Sequence, residues 1–247
     1  PLMLIAGFDT ETTGRDPQIE QIVQVGAVLW DTEAKTKKAK VKLDMLIQGP
    51  HIPPLSEEVT QVHGITDADL HTYGYSFEDV MAMLHESIFG PADAIIAHNG
   101  NMFDRPIYEQ NCKNLGVEPI GLEKLWIDSM CDIEFPAHIT TRKLVHLAAE
   151  HGFVNPFPHD ALCDVMTLLK IADLYPWDTA IRYAKSPTLT IRAMVSFSEK
   201  ELAKKQAFRW DGANKEWLKS IKEFQLADAT KAATDAGFKI TVQKGDK

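Results

Sequence analysis

The chain is predicted to form an α/β fold, a mixed β-sheet flanked by helices, followed by a small α+β module at the C-terminus. Three observations lead there. Three strand-like apolar runs come first, and alternating helical and strand patterns follow, as in a sheet covered on both faces. The Ser186-Pro187 step then breaks the pattern and opens a compact run of short elements. Charge divides near the same place: residues 190–247 hold 12 Lys and Arg against 8 Asp and Glu, whereas residues 1–189 hold 14 against 27. The expected division is therefore a body at 1–185 and a basic module at 186–247.

The first strand is expected at Leu2–Phe8. This apolar run is too short to span a bilayer, has no basic flank and leads straight into acids, so it reads as a strand and not as a signal peptide. Pro1 in first place suggests an initiator methionine removed or numbered out. A second strand follows at Ile22–Trp30, then a turn at Asp31–Thr36. The third strand, at Lys38–Ile47, alternates lysines with apolar residues, the pattern of an antiparallel strand with one wet face. Lysines 35, 37, 38, 40 and 42 then belong to a solvated face.

After a Pro-rich loop, Ser56 followed by Glu57 and Glu58 marks the start of a helix to Val62. A longer helix is expected at Ser76–Ile88, a buried strand at Ala94–Ala97, and a helix at Asp104–Leu115 stopped by Gly116. Leu125–Ile127 reads as a last strand of the body, with helices near Thr141–His151, His159–Tyr175 and Trp177–Ala184. The module reads as a strand at Leu189–Val195, a capping box at Ser198 with Glu201, and a helix to Gln206. A turn at Asp211–Asn214 separates two aromatic segments. A helix at Leu226–Ala236 ends at Gly237, and a strand closes the chain at Phe238–Val242.

With 247 residues, 45% of them hydrophobic and 25% charged, the chain can bury one sizeable core and carry an appended module. That composition excludes the disordered and membrane classes. Cys112, Cys131 and Cys163 are odd in number and widely spaced, so neither a disulfide framework nor a thiolate zinc site is expected, and a reducing cytoplasm is.

The chemistry concentrates in an ordered set of acids: Asp9 and Glu11 in FDTETTG, Asp104 in AHNGNMFD, and Asp164 in HDALCD with His159 five positions before it. Asp9 and Glu11 are two apart at a strand end, so their side chains leave the same face. The Thr12-Thr13-Gly14 turn lets backbone amides approach a substrate closely. His98 and Asn99 end the strand before Asp104, and an acid at that helix start gains from the positive end of the dipole. His159 and Asp164 are expected on one helix, about 1.4 turns apart. Taken singly, each has a plainer explanation: exposed acids at a strand end, a helix cap, local packing. Together, carboxylates brought next to buried runs repel one another unless cations neutralise them. That points to metal-dependent phosphodiester hydrolysis with a histidine as base.

In this order the three segments resemble the motifs of the DEDDh group of 3′–5′ exonucleases, which share the ribonuclease-H-like fold. FDTETTG followed by IVQVGAVLWD is similar to the first motif, AHNGNMFDRPIYEQ to the second and HDALCDVMTLL to the third, over roughly Leu2–Tyr175. The resemblance implies Asp9, Glu11, Asp104 and Asp164 as metal ligands and His159 as general base. It places Thr10, Thr12, Thr13, Gly14, Asn99 and Phe103 on the substrate side. His63, Gly64 and Ile65 in VHGITDADL would line the terminal nucleotide. The spacing from His98-Asn99 to Asp104 is one residue longer than in many proofreading members and looks more like stand-alone repair exonucleases of the TREX type.

The implied cofactor is Mg²⁺, two ions with Mn²⁺ able to replace them, because hard oxygen ligands disfavour zinc. One ion would orient and acidify a water whose proton passes to His159, and the other would stabilise the leaving 3′ oxygen. An imidazole, with an ordinary pKa near ~6.5, suits that step at neutral pH. The expected partner is single-stranded DNA or frayed 3′ DNA ends, cut to nucleoside 5′-monophosphates. An RNA exonuclease is the nearest rival, because these motifs do not read the 2′ hydroxyl. A catalytically silent nucleic-acid or polymerase-binding module is a rival of another class. No membrane partner is expected, and a homodimer or a replication partner stays open.

The tail, with FRWDGANKEWLK, is similar to a small domain found beside phage and plasmid nucleic-acid proteins. Its position after the core resembles that in bacterial exonuclease ten. Phe208, Trp210 and Trp217, interleaved with Arg209, Lys215 and Lys219, fit either base stacking or an aromatic mini-core.

Overall fold

The computed structural model describes residues 3–243 and divides into two compact units, 1–184 and 185–247. In the first, strands β1 (Leu4–Thr12), β2 (Ile22–Asp31), β3 (Ala39–Leu46), β4 (Ala94–Ala97) and β5 (Leu125–Asp128) form one sheet in the order β3-β2-β1-β4-β5. β3, β2 and β1 pair antiparallel, while β4 and β5 run parallel to β1. This is the mixed sheet expected, with the ribonuclease-H-like arrangement.

β1 runs further than its apolar stretch suggested. It continues through Asp9 and Glu11 to Thr12 because β2 pairs with it down to the Thr12–Ile22 step, past an irregularity at Glu11. β4 reaches only as far as Gly7. The last residues of β1 therefore border a crevice at the carboxyl ends of the parallel strands, where open α/β sheets place their ligands.

Alternation along β1 sorts its side chains between two cores. Ala6 and Phe8 face a layer with Phe89, Tyr108 and Trp126. Phe8 makes edge contacts with these three rings at 5.2, 5.8 and 6.0 Å, each worth about 0.5–1.5 kcal/mol beyond area burial. Helices α3 (Phe77–Leu84) and α4 (Asp104–Leu115) supply this layer. Ile5 faces the opposite core with Val165, Leu168 and Leu169 of α7 (Ala161–Ala172), backed by α6 (Leu144–Glu150) and α8 (Trp177–Lys185).

Two glycines let α7 lie directly on the sheet. A Cβ on Gly26 would stand 2.2 Å from the backbone carbon of Ala161, and one on Gly7 would stand 2.7 Å from the Val165 side chain. Asp9 and Glu11 share the Ile5–Gly7 face, so they point toward this helix.

Several boundaries differ from expectation. α7 begins at Ala161, capped by the Asp160 side chain on the Cys163 N–H, so His159 stands outside the helix. Its φ of 66° is left-handed, which is why helical periodicity fails to place it. Helix α1 spans Glu57–His63, and a further helix, α2 (Asp67–Tyr73), occupies the segment read only as substrate-side, opened by a Thr66/Asp69 capping box. The helix expected to reach Ile88 turns to a single π turn at His85–Phe89, and a short helix α5 (Ser129–Asp132) follows β5. The lysine face is not wholly solvated: Lys38 pairs with Asp173 at 2.7 Å and Lys40 with Asp31 at 3.3 Å.

The second unit is built from β6 (Thr188–Met194), α9 (Lys200–Lys205), β7 (Arg209–Asp211), β8 (Glu216–Lys222), α10 (Leu226–Asp235) and β9 (Lys239–Val242). Its antiparallel sheet has the order β7-β8-β6-β9, the split βαβ arrangement. Its capping box is Ser196 with Glu199, two residues before the pair expected, and it opens a 3₁₀ turn. Phe208 lies in the module's core and Trp217 packs against it, so the mini-core describes these two, whereas Trp210 is half exposed beside Trp217. Among the described residues, no helix is long and apolar enough to cross a membrane.

Candidate active site

The carboxyl ends of β1, β4 and β5 and the starts of α4 and α7 meet at the crevice. Asp104, the first residue of α4, is 2% exposed. One of its oxygens accepts the backbone N–H of Thr10 at 3.1 Å and the Thr10 hydroxyl at 2.9 Å. Asp104 thus takes the place of the acceptor that β4 no longer provides to Thr10, and the Thr10 hydroxyl adds a second bond to it. The turn before Asp104 hangs from Asp128 at the end of β5. That buried carboxylate accepts the N–H groups of Asn99 at 3.1 Å and Asn101 at 3.2 Å. Asn99 takes a φ of 65° there and accepts the N–H of Phe103, which aims the start of α4.

Asp164 is held from two sides. Asn155, buried at 4% exposure, donates its side-chain amide to one oxygen, and the backbone N–H of His159 donates to the other at 3.1 Å. The Asn155 carbonyl in turn accepts the N–H of Phe157 and the thiol of Cys163. Gln24 from β2 fixes the mouth of α7. It accepts the Ala161 N–H at 3.2 Å and donates to Asp160 at 3.3 Å and Asp44 at 2.9 Å. One ligand atom each from Glu11, His159 and Asp164 lies within 4.8 Å of the others.

Burial and mutual repulsion raise the pKa of every acid in this set. Burial pushes Glu11 up to about 8, helped by Asp164, Asp104 and Asp160. Asp104 rises to about 7, chiefly by burial, although both Thr10 hydrogen bonds oppose the shift. Asp9 lies well above the usual carboxylate range through burial, then Asp104, Glu11 and Asp164. Asp164 is raised by burial against the pull of Asn155 and His159. Carboxylates forced to keep their protons are a ready donor set for a divalent cation, which displaces those protons and cancels the repulsion. All-oxygen donors with a histidine at the margin fit a hard ion such as Mg²⁺ or Mn²⁺.

Two clefts meet at His159. The first, about 580 Å³, is lined by Thr10 to Arg15, Glu20, Glu58, His63, Phe103 and His159 among others. The hydroxyls of Thr12 and Thr13 hold its turn, bonding Gly14 at 2.6 Å and Glu20 at 2.5 Å. His63 receives the Ile65 N–H on Nδ1, and burial lowers its pKa. The second cleft, about 600 Å³, is lined by Asp9, Asp164 and His159 on one side and by residues 141–145 on another. The structure therefore brings Asp9, Glu11, Asp104, Asp164 and His159 to one locus, with Thr10, Thr12, Thr13, Gly14, His63 and Phe103 beside it. It places Gly64, the left-handed cap of α1, and Ile65, packed on Val23 and Leu70, behind His63. Asn99 lies in the turn that carries Asp104 and lines neither cleft.

Asn155, Asp128, Gln24 and Asp160 escaped the sequence reading. Only Asp160 carried a local signal, as an acid three residues before a helical N–H. The others act across 9 to 137 residues of chain, which no spacing rule spans.

A family model described as "Exonuclease" matches residues 6–172. The chain belongs to this exonuclease family. Among solved structures it is similar to E. coli exonuclease I in a zinc-bound complex with single-stranded DNA, with a TM-score of 0.60 and 18% identity, covering 70% of this chain and 40% of that one. It is also similar to the nuclease domain of 3′hExo, described as a DEDDh family member bound to rAMP. There the TM-score is 0.54 and the identity 17%, covering 70% of this chain and 91% of that one. The chain thus spans less than half of the exonuclease I chain it matches. No curated protein matches it by sequence.

Proposed function

We propose that this protein is a metal-dependent 3′–5′ exonuclease that releases nucleoside 5′-monophosphates from DNA, with single-stranded or frayed 3′ ends as its substrate. The observation that carries this reading is the convergence of Glu11, His159 and Asp164 ligand atoms within 4.8 Å at the point where two clefts meet.

Asp9, Glu11, Asp104 and Asp164 would hold the ion or ions, Mg²⁺ by our reading and two in number, with Mn²⁺ able to replace them. Such ions supply positive charge that lowers the attacking water's pKa and stabilises the crowded phosphoryl oxygens. His159 stands exposed at the lip, placed to take the water's proton. Asn155 and the His159 N–H keep the Asp164 carboxylate in one orientation, and Thr10 does the same for Asp104. Phe103 and the turn from Thr12 to Gly14 wall the first cleft, where a terminal nucleoside would lie. The odd number and wide spacing of Cys112, Cys131 and Cys163 favour the cytoplasmic location that completes this proposal.

The test is digestion of 5′-labelled single-stranded DNA and RNA of one sequence, with Mg²⁺, with EDTA, and with His159→Ala. A metal-dependent ladder shortening from the 3′ end and lost in the variant is expected, with DNA the faster substrate. A faster RNA ladder would make the protein a 3′ RNA exonuclease. No shortening of either strand with Mg²⁺ or Mn²⁺ would leave a binding module instead.

A further inference from the structure

The two clefts share only His159 among their lining residues, and they differ in charge: acids outnumber cations in the first, whereas the second holds two of each. The first carries Glu11, Glu20 and Glu58 against one cation, Arg15, which stands 3.9 Å from Glu58. An acidic cleft of this kind accepts an uncharged nucleoside but repels further phosphates. The second is lined by Arg142 and Lys143 together with Asp9 and Asp164. Among the described residues, no carboxylate lies within 4.0 Å of either cation. The Lys143 charge is thus uncommitted although two acids line the same cleft.

Arg142 is engaged elsewhere: its guanidinium donates to the Ile139 carbonyl at 2.9 Å, lies 4.9 Å above the Phe135 ring and sends its charge toward Tyr175. Lys143 is exposed at the cap position of α6 and makes no capping bond with its side chain. Leu144 and Val145 continue the same wall with apolar surface.

We propose that the second cleft is the subsite for the strand upstream of the cut, with Lys143 binding its first backbone phosphate and Leu144 and Val145 contacting the adjoining base. The scissile phosphate then lies at His159, the terminal nucleoside in the acidic cleft, and the rest of the strand leaves past Lys143. This rests on the nuclease reading above and adds the direction in which the strand crosses the site. A backbone phosphate is the anion expected there because a strand entering a nuclease site carries one next to the scissile group, and a lysine binds it as a point charge.

The test compares wild type with Lys143→Gln and, for an unrelated surface charge, Lys42→Gln. On single-stranded oligonucleotides Lys143→Gln should raise KM about five-fold at ~0.1 M salt with kcat within about two-fold, since one phosphate contact contributes a salt exponent of about 0.7. The slope of log kcat/KM against log salt should fall by about 0.7. The p-nitrophenyl ester of thymidine 5′-monophosphate, which has no upstream nucleotide, should be cleaved equally by both. An unchanged oligonucleotide KM, an equal loss on the ester, or the same loss in Lys42→Gln would overturn the subsite. Fluorescence anisotropy of a labelled oligonucleotide in EDTA reads the contact without turnover, again about five-fold weaker in Lys143→Gln. Equal affinity there would reject the subsite even if wild type proved inert. Inertness itself would count only against the nuclease reading.

Discussion

His159 donates its backbone N–H to the Asp164 carboxylate at 3.1 Å from a left-handed conformation, φ 66°, one residue before the cap of α7. The main chain of the proposed base thereby orients a proposed ligand, and the imidazole stays free at the lip. Asn and Gly are the residues that tolerate this backbone, so the ring can be removed without straining the turn. His159→Asn should lower turnover by about 10²–10⁴-fold while thermal stability and Mn²⁺ affinity stay near wild type. A variant with wild-type turnover would remove His159 from the reaction.

Stability without metal should fall as pH rises. Glu11 and Asp104 have folded-state values of about 8 and about 7, above their ordinary range, so the folded protein holds protons that the unfolded chain releases. Their contribution is whole below about pH 4 and is lost as pH climbs through those two values. Melting in EDTA should show a midpoint dropping by several degrees between about pH 5 and pH 8. Mg²⁺ should restore more at pH 8 than at pH 6. Asp104→Asn should flatten the curve. A midpoint that rises over that window would contradict the buried-acid account.

Asn155 offers a separate handle on the metal. Losing its amide frees the Asp164 carboxylate, and groups that orient ligands typically account for about 10–100-fold in metal affinity. Asn155→Ala should weaken Mn²⁺ binding, measured by calorimetry, by that factor. It should also cost about 1–3 kcal/mol of stability, because the Phe157 N–H loses its acceptor. Unaltered Mn²⁺ affinity would reduce Asn155 to a packing role.

Gly26 tests how α7 reaches the site. A methyl group there would meet the Ala161 backbone at 2.2 Å, and backbone cannot rotate away as a side chain can. Gly26→Ala should destabilise by about 1–3 kcal/mol in urea unfolding and abolish turnover as α7 shifts with Asp164. Full activity in a folded variant would show that the helix can be displaced without harm.

Much of the site was legible because strand and helix starts obey local rules. Asp9 and Glu11 share a face by strand alternation, Asp104 opens α4 where expected, and Gly116 ends it with a φ of 70°. The expectation of a helix at His159 fails because a left-handed residue followed by an extended cap leaves no trace in apolar periodicity. The basic, aromatic tail fitted two readings. Only strand register put Trp217 and Lys219 on the side facing α9, where Lys219 donates to the Gln206 carbonyl.

The sequence alone determined the order of acids, the apolar runs that bury them, and hence a family whose chemistry depends on neutralising that charge. Tertiary structure decided the rest: Thr10 bound to Asp104 across 94 residues, Asn155 beside Asp164, Gln24 at the mouth of α7, and two clefts of different charge meeting at His159. Alternation and capping act between near neighbours and are written in residue spacing. Hydrogen bonds and electrostatic fields depend on distance through space, and that distance exists only once the sheet has brought its strand ends together.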